Sequence, residues 1–187
     1  MSTREFQSIH ESFRPRVLRY LTRVVGERDA EDLTQSVMLK VSRGLPQFRH
    51  DSALSTWIYR IATNVAVDKL RSGVYEQPLG EQIDPEEADP ALEAQTPSVE
   101  STAIRAEMSG CIREFVDRLP EPYRIVTVLS EIEGFTNQQI AAIVGVSLDT
   151  VKIRLHRARA KLRRDLLGGC SFSRDNPSGL ACDRKAG

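Results

Sequence analysis

Apolar residues in this chain recur at helical spacing and almost never alternate, so the pattern predicts helices in nearly every segment. Ile9, Phe13, Val17, Tyr20 or Leu21, and Val24 form the first stripe. Pro15 is expected to bend or restart that helix, and Gly26 to close it. Asp29 opens the run DAEDLTQSVMLKVSR, whose acids crowd the first turn, where the helix dipole favours them. Leu33, Val37 and Val41 form its inner face, leaving Asp32, Gln35 and Lys40 outside. Gly44-Leu-Pro46 breaks the pattern. A third helix, about 53–71, turns Leu54, Trp57, Ile58, Ile61 and Val65 inward. Arg60, Asn64, Val67 and Arg71 share another face of it.

The second half repeats the habit with sharper punctuation. Residues 104–119 and 123–133 read as helices separated by Pro120-Glu-Pro122, with Ile112, Phe115, Leu119, Val126 and Leu129 as expected core. Thr136 followed three residues later by Gln139 is a capping box, and Phe135 before it can staple onto Ile140. Ile140, Ile143 and Val144 supply one apolar face. Gly145 can take the left-handed conformation that ends this short helix, and Ser147 can cap the next. That next helix places Val151, Leu155, Ala158 and Leu162 on an inward stripe. Between Thr150 and Arg164 it also carries seven Lys or Arg and no acid. Two helices joined by a three-residue turn containing glycine, the second one basic, form the pattern of groove-reading helix-turn-helix modules. Solvated surface and membrane or calmodulin-type contacts are the bland readings of a basic amphipathic helix. Neither needs the capped short helix and tight turn that precede this one.

The formal charge of zero over 187 residues at first argues against a nucleic-acid partner. Taken by segment it does not. Residues 1–72 carry 12 basic and 8 acidic side chains, residues 73–103 carry 8 acids and no Lys or Arg, and residues 104–187 carry 14 basic and 10 acidic. Neutrality is thus a sum of segregated parts, and a partner feels the local part. Residues 73–102, rich in Glu, Asp, Pro and Gln, have little to bury and are expected to be a flexible acidic linker. No run is long enough for a membrane span, the first residues lack a signal-peptide core, and three cysteines without an export signal suggest a reducing, cytoplasmic setting. His10, His50 and His156 are scattered and no Gly-rich phosphate loop is present, so neither enzyme chemistry, a cofactor nor a firm metal site is expected.

Several residues carry two readings. The loop QFRHD before Ser52 mixes an aromatic, a cation, an imidazole and a carboxylate, which suits an unstacked base. It also suits a connector whose Phe48 tucks into the core. Glu31, Asp32 and Gln35 read first as helix-start chemistry, and Trp57 as core rather than a stacking platform.

Three separated runs then agree: DAEDLTQSVMLKV, FRHDSALSTWIYRIATNVAVDKLR and LPEPYRIVTVLSEIEGFTNQQIAAIVGVSLDTVKIRLHRARAKL. Together they resemble bacterial sigma factors of the extracytoplasmic-function (ECF) group, over roughly residues 5–72 and 103–167. The resemblance implies an all-α chain of two small helical domains. A sigma region 2-like bundle of three to four helices spans 1–72, the acidic linker 73–102, a four-helix region 4-like domain with the helix-turn-helix 103–167, and a cysteine-containing tail 168–187. The two bodies are expected to stand apart on their tether.

The resemblance also implies roles. Asp32, Leu33 and Gln35 match positions that contact the clamp helices of core RNA polymerase. Phe48, Arg49, His50, Asp51 and Ser52 match the loop that captures a flipped base of the −10 element, with Trp57, Tyr59, Arg60 and Asn64 on the helix behind it. Thr150, Lys152, Ile153, Arg154, His156, Arg157 and Arg159 match the positions that read the −35 element as duplex. Ile153 departs from the small polar residue often found there and can meet only an apolar group such as a thymine methyl. Core polymerase, through its clamp helices and flap, and promoter DNA are the implied partners, with room for an anti-sigma factor and none for a membrane. The linker would thread the polymerase's basic RNA channel. An autonomous helix-turn-helix regulator of duplex operators is the alternative, but no dimer seam or ligand pocket supports it.

In the tail, Asp175-Asn-Pro is a turn signal. A hairpin pairing Arg174 with Ser178 would set Cys170 opposite Cys182, a thiol switch or soft-metal site. An incidental, floppy tail is the simpler reading. Cys111 falls in a helix as packing.

Overall fold

The computed structural model describes residues 3–74, 109–176 and 179–184. Side chains are described for residues 6–72 and 113–169, so the acidic linker and the side chains of Cys111, Ile112, Cys170 and Cys182 lie outside the described residues. Helix α1 (Thr3–Val25) runs straight through Pro15. The expected restart there does not occur. Gly26, at φ 92°, supplies the left-handed residue that separates α1 from α2 (Glu27–Gly44), which starts two residues before the expected Asp29. A 3₁₀ turn at Leu45–Gln47 leads through the loop to α3 (Leu54–Val74). Val17, Tyr20, Leu21, Val24, Val37, Val41 and Ile58 are fully buried among these three helices, much as the stripes predict. Inside this core the Tyr20 hydroxyl and the Thr63 Oγ1 share a 2.8 Å hydrogen bond, and Lys69 reaches Asp29 at 2.9 Å on the rim.

In the second half α4 (Ser109–Asp117) is followed by α5 (Glu121–Thr127), with Pro120 at its N-cap and Pro122 in its first turn, where a missing N–H costs nothing. The proline pair that reads as a break thus opens the next helix. That helix continues as a π turn over Val128–Ile132. Then come α6 (Asn137–Val144) and α7 (Leu148–Gly169). Phe115, Leu119, Val126, Leu129, Ile140, Ile143, Val151, Leu155 and Ala158 are buried.

The two halves do not stand apart. Their buried residues form one continuous apolar cluster, from Val17 and Ile58 to Ile140 and Val151. Helix α3 lies along α6, and α1 touches α4, α5 and the π turn. The physical reason is area: each half leaves an apolar face uncovered, and burying both together is worth about 25 cal/mol per Å². Polar groups cross the seam as well. Arg124 donates from Nη1 to the Val24 carbonyl and from Nη2 to the Leu119 carbonyl, each at 3.0 Å. The Tyr59 hydroxyl donates to Glu133 Oε2, and the Tyr59 and Phe135 rings meet edge-on with centroids 4.7 Å apart.

The tail forms a hairpin, β1 (Cys170–Asn176) and β2 (Gly179–Arg184), in a register that differs from the expected one. Cys170 pairs with Arg184, and Cys182 with Phe172. An irregularity between Ser173 and Asn176 shifts the strands, so the two cysteines are diagonal neighbours rather than opposite. Diagonal Cα atoms lie about 7–8 Å apart, beyond ordinary disulfide reach.

Candidate nucleic-acid interface

Helix α7 is aimed by its local chemistry. Gln139 N–H donates to Thr136 Oγ1 at 3.3 Å, and Thr136 N–H to Gln139 Oε1 at 2.9 Å, completing the capping box. Gly145 takes φ 72° and ends α6, and Ser147 Oγ accepts from the Thr150 N–H at 3.1 Å. With Val151, Leu155 and Ala158 packed inward, Lys152, Ile153, His156, Arg157 and Arg159 are left exposed in a row, and Thr150 and Arg154 are half-buried. Ile153 keeps 52% of its surface exposed, a large apolar side chain among cations. Arg159 is engaged within the chain: its Nη2 lies 2.8 Å from Glu131 Oε1 on the π turn. Lys152 is 3.5 Å from Asp149, a weak contact within one turn.

The loop before α3 is braced by rings. Phe48 lies 4.7 Å from the His50 ring and 5.1 Å from Trp57, centroid to centroid. Phe48 and Trp57 are half-buried, so both readings of each are partly met: they pack, yet keep an open edge. Arg49, His50, Asp51 and Ser52 are exposed. His50 has φ 60°, left-handed backbone that few side chains adopt, which turns the loop outward. Arg60 and Asn64 share the exposed face of α3. Tyr59 does not join them. It is turned inward, fully buried against Phe135, with the Arg16 guanidinium 5.9 Å from its ring centroid. Burial, reinforced by the bond to Glu133, pushes its phenol well above its ordinary range, so it stays a donor. Burial lowers the Arg23 guanidinium from its ordinary value, and Arg113 across the seam and Arg19 on α1 lower it further.

On α2, Asp32 and Gln35 are exposed while Leu33 packs against the core. The same outward stripe continues to Leu39, a leucine 51% exposed that sequence reasoning passed over. A helical stripe of carboxylate, amide and leucine suits a protein surface better than a phosphate backbone. Among the described residues no three His, Cys, Asp or Glu side chains group to hold a metal, and no helix is long and apolar enough to cross a membrane.

Residues 9–74 match the Sigma-70 region 2 family, and residues 109–162 the Sigma-70 region 4 family. The RNA polymerase sigma-H factor of Pseudomonas aeruginosa is 31% identical over 87% of this chain and 86% of its own. The ECF sigma-E factor of Escherichia coli is 32% identical over 79% and 78%. This chain belongs to the ECF group of RNA polymerase sigma factors. The ECF sigma factor SigW of Bacillus subtilis, 28% identical over 86% of this chain and 88% of its own, agrees. So does the fold. The sigma factor RpoE of Bartonella quintana, solved with the anti-sigma factor NepR, superposes with a TM-score of 0.64 at 22% identity, covering 87% of this chain and 96% of that one. CnrH, solved with the cytosolic domain of CnrY, gives 0.62 at 23% identity over 89% and 90%. A sigma factor confers promoter-specific initiation on core RNA polymerase and is not the catalyst of RNA synthesis. The autonomous-regulator alternative gives way, because a helix-turn-helix alone does not account for the region 2 match.

Proposed function

We propose that this sigma factor reads the −35 element with α7 and the −10 element with the loop at 48–52 and the outward face of α3. Lys152, Arg154, Arg157 and Arg159 neutralise phosphates or reach guanine, with Thr150 and His156 as neutral or switchable donors and Ile153 against a thymine methyl. Phe48, Arg49, His50, Asp51 and Ser52 cradle an extruded base, and Arg60 and Asn64 hold the strand beside it. The observation that carries this reading is the division of α7: its apolar stripe is buried while Lys152, Ile153, His156 and Arg157 remain open to solvent. Asp32, Leu33 and Gln35 dock on the clamp helices of core polymerase, and the acidic 73–102 segment serves as the tether through the RNA channel. The chain carries no reaction of its own and works in the cytoplasm, where the polymerase is. An anti-sigma factor is a further partner, by analogy with the two complexes named above. Cys170 and Cys182 are left as a redox or metal pair only if their strands shift register.

The test is reconstituted transcription. Core polymerase with the purified chain should yield promoter-specific transcripts that core alone does not, lost when Lys152 and Arg157 are both changed to Ala. Tight duplex binding by the chain alone, with no effect on polymerase, would refute it.

A further inference from the structure

The structure is closed, and closure conflicts with the proposed task. The −35 and −10 elements lie roughly 25 base pairs apart by their labels, about 85 Å of duplex at about 3.4 Å per base pair. A compact body of this length has a radius of gyration near 16 Å and is roughly 40 Å across. One such body cannot seat α7 on the first element and the loop at 48–52 on the second. The seam also covers Tyr59 completely, and Tyr59 lies on the same helix as Arg60 and Asn64.

We propose that this closed body is a resting form, latched by Tyr59 on Glu133 and Phe135, which must open before both promoter elements can be held together. The latch has a defined polar centre. Tyr59 on α3 donates to Glu133 at the end of the π turn, Phe135 seals the ring, and Arg124 anchors the same half to the last turn of α1 through the Val24 carbonyl. Against it stands a built-in strain. Arg19 and Arg23 on α1 line an open cleft with Arg113 on α4, and none of the three has an ion pair among the described residues. Asp117 and Glu27 in the same cleft offset part of that charge. Attraction at one end of the seam and repulsion at the other make a two-state element rather than a fixed joint. The Phe135 ring, Tyr59 and the uncompensated Glu133 Oε1, buried without a partner in the closed form, are what opening releases.

The inference rests on the promoter reading, so its test separates the two. Donor and acceptor dyes are placed at Ser36→Cys and Ala142→Cys, both exposed, in the full chain with Cys111, Cys170 and Cys182 changed to Ser. Energy transfer is followed in the free chain, on core polymerase, and on core polymerase with promoter DNA. High transfer in the free chain that collapses in the promoter complex is expected. Glu133→Ala should shift the free chain toward the open form by about tenfold or more, as for loss of a charged hydrogen bond, with Glu133→Gln recovering most of it. Arg113→Gln should move it the other way. Unchanged transfer in a complex that makes promoter-specific transcripts overturns the latch and leaves the sigma reading standing. Equal transfer for Glu133→Ala, Glu133→Gln and the parent also overturns it. Absence of promoter-specific transcripts removes the reading beneath both.

Discussion

Three single residues show how local contacts bear on the interface. Gly44 ends α2 with helical φ, so it is not there for backbone freedom; a Cβ at this position would meet Trp57 Cζ2 at 2.9 Å. Gly44→Ala should therefore push Trp57 off Phe48 and destabilise the fold by about 1–3 kcal/mol, less a fraction of a kcal/mol of helix propensity. Trp57 is the sole tryptophan, so its fluorescence reports the displacement directly alongside a denaturant melt. Arg159 is a second case. Its contact with Glu131 holds it away from DNA, and both side chains are about half exposed, so the pair itself contributes little to stability. Glu131→Ala should leave the melt nearly unchanged and raise affinity for −35 duplex a few-fold, measured by fluorescence anisotropy at fixed salt. Leu39 is the third. Leu39→Arg should keep the fold, since the side chain is already half in water, and weaken binding to core polymerase at least tenfold in a competition assay.

At the scale of elements, the helix-turn-helix was written into the sequence almost completely, because each of its signals acts within four residues. Thr136 and Gln139 cap one another, Gly145 reverses the chain, and Ser147 starts α7, so no distant contact has to be known. Thr136→Ala should accordingly cost about 1 kcal/mol in a thermal melt. The same helix can be tested against DNA: Lys152→Ala should lower the slope of log affinity on log salt by about 0.9 if that side chain neutralises one phosphate. A slope equal to the parent's would mean that Lys152 stays with Asp149. Other elements were less legible. Pro15 reads as a break, yet α1 passes through it, since its residues bury Val17, Tyr20 and Leu21 just beyond and tertiary packing outweighs the local penalty. The tail's turn was readable but its register was not, because one irregular step between Ser173 and Asn176 slides every pair after it. Leu39 was missed because exposure of one leucine on an amphipathic helix leaves no mark in the periodicity. Tyr59 looked like a companion of Arg60 and Asn64. Its actual partner, Glu133, is 74 residues away, and no local pattern encodes a pairing at that separation.

For the whole molecule, a shared core has consequences that two tethered bodies would not. Probes in each half should lose their signal together, since Ile58, Ile140 and Val151 belong to one cluster. High pH provides a sharper test, because both buried phenols sit at the centre of this packing. Burial raises the Tyr20 phenol above its ordinary value, with the Thr63 hydrogen bond opposing in part. Burial raises the Tyr59 phenol too, with Glu133 adding to the effect. In the unfolded chain each ionises near pH 10; in the folded chain each stays protonated to higher pH. Folding therefore favours the neutral phenols, and their contribution is complete below about pH 10. It is lost progressively as pH rises beyond that point, because the unfolded chain sheds protons that the folded chain retains. Tyr59→Phe removes one of these groups without leaving a hole. Its unfolding midpoint in denaturant should fall less steeply than the parent's above pH 10, with the two chains differing at neutral pH only by the lost hydrogen bond. Because Tyr59 bridges the halves and Tyr20 lies wholly within the first, the comparison also locates the effect. If Tyr59→Phe uncouples the two halves into separate transitions while Tyr20→Phe does not, cooperativity runs through the seam; identical behaviour of the two variants would place it in the apolar cluster alone.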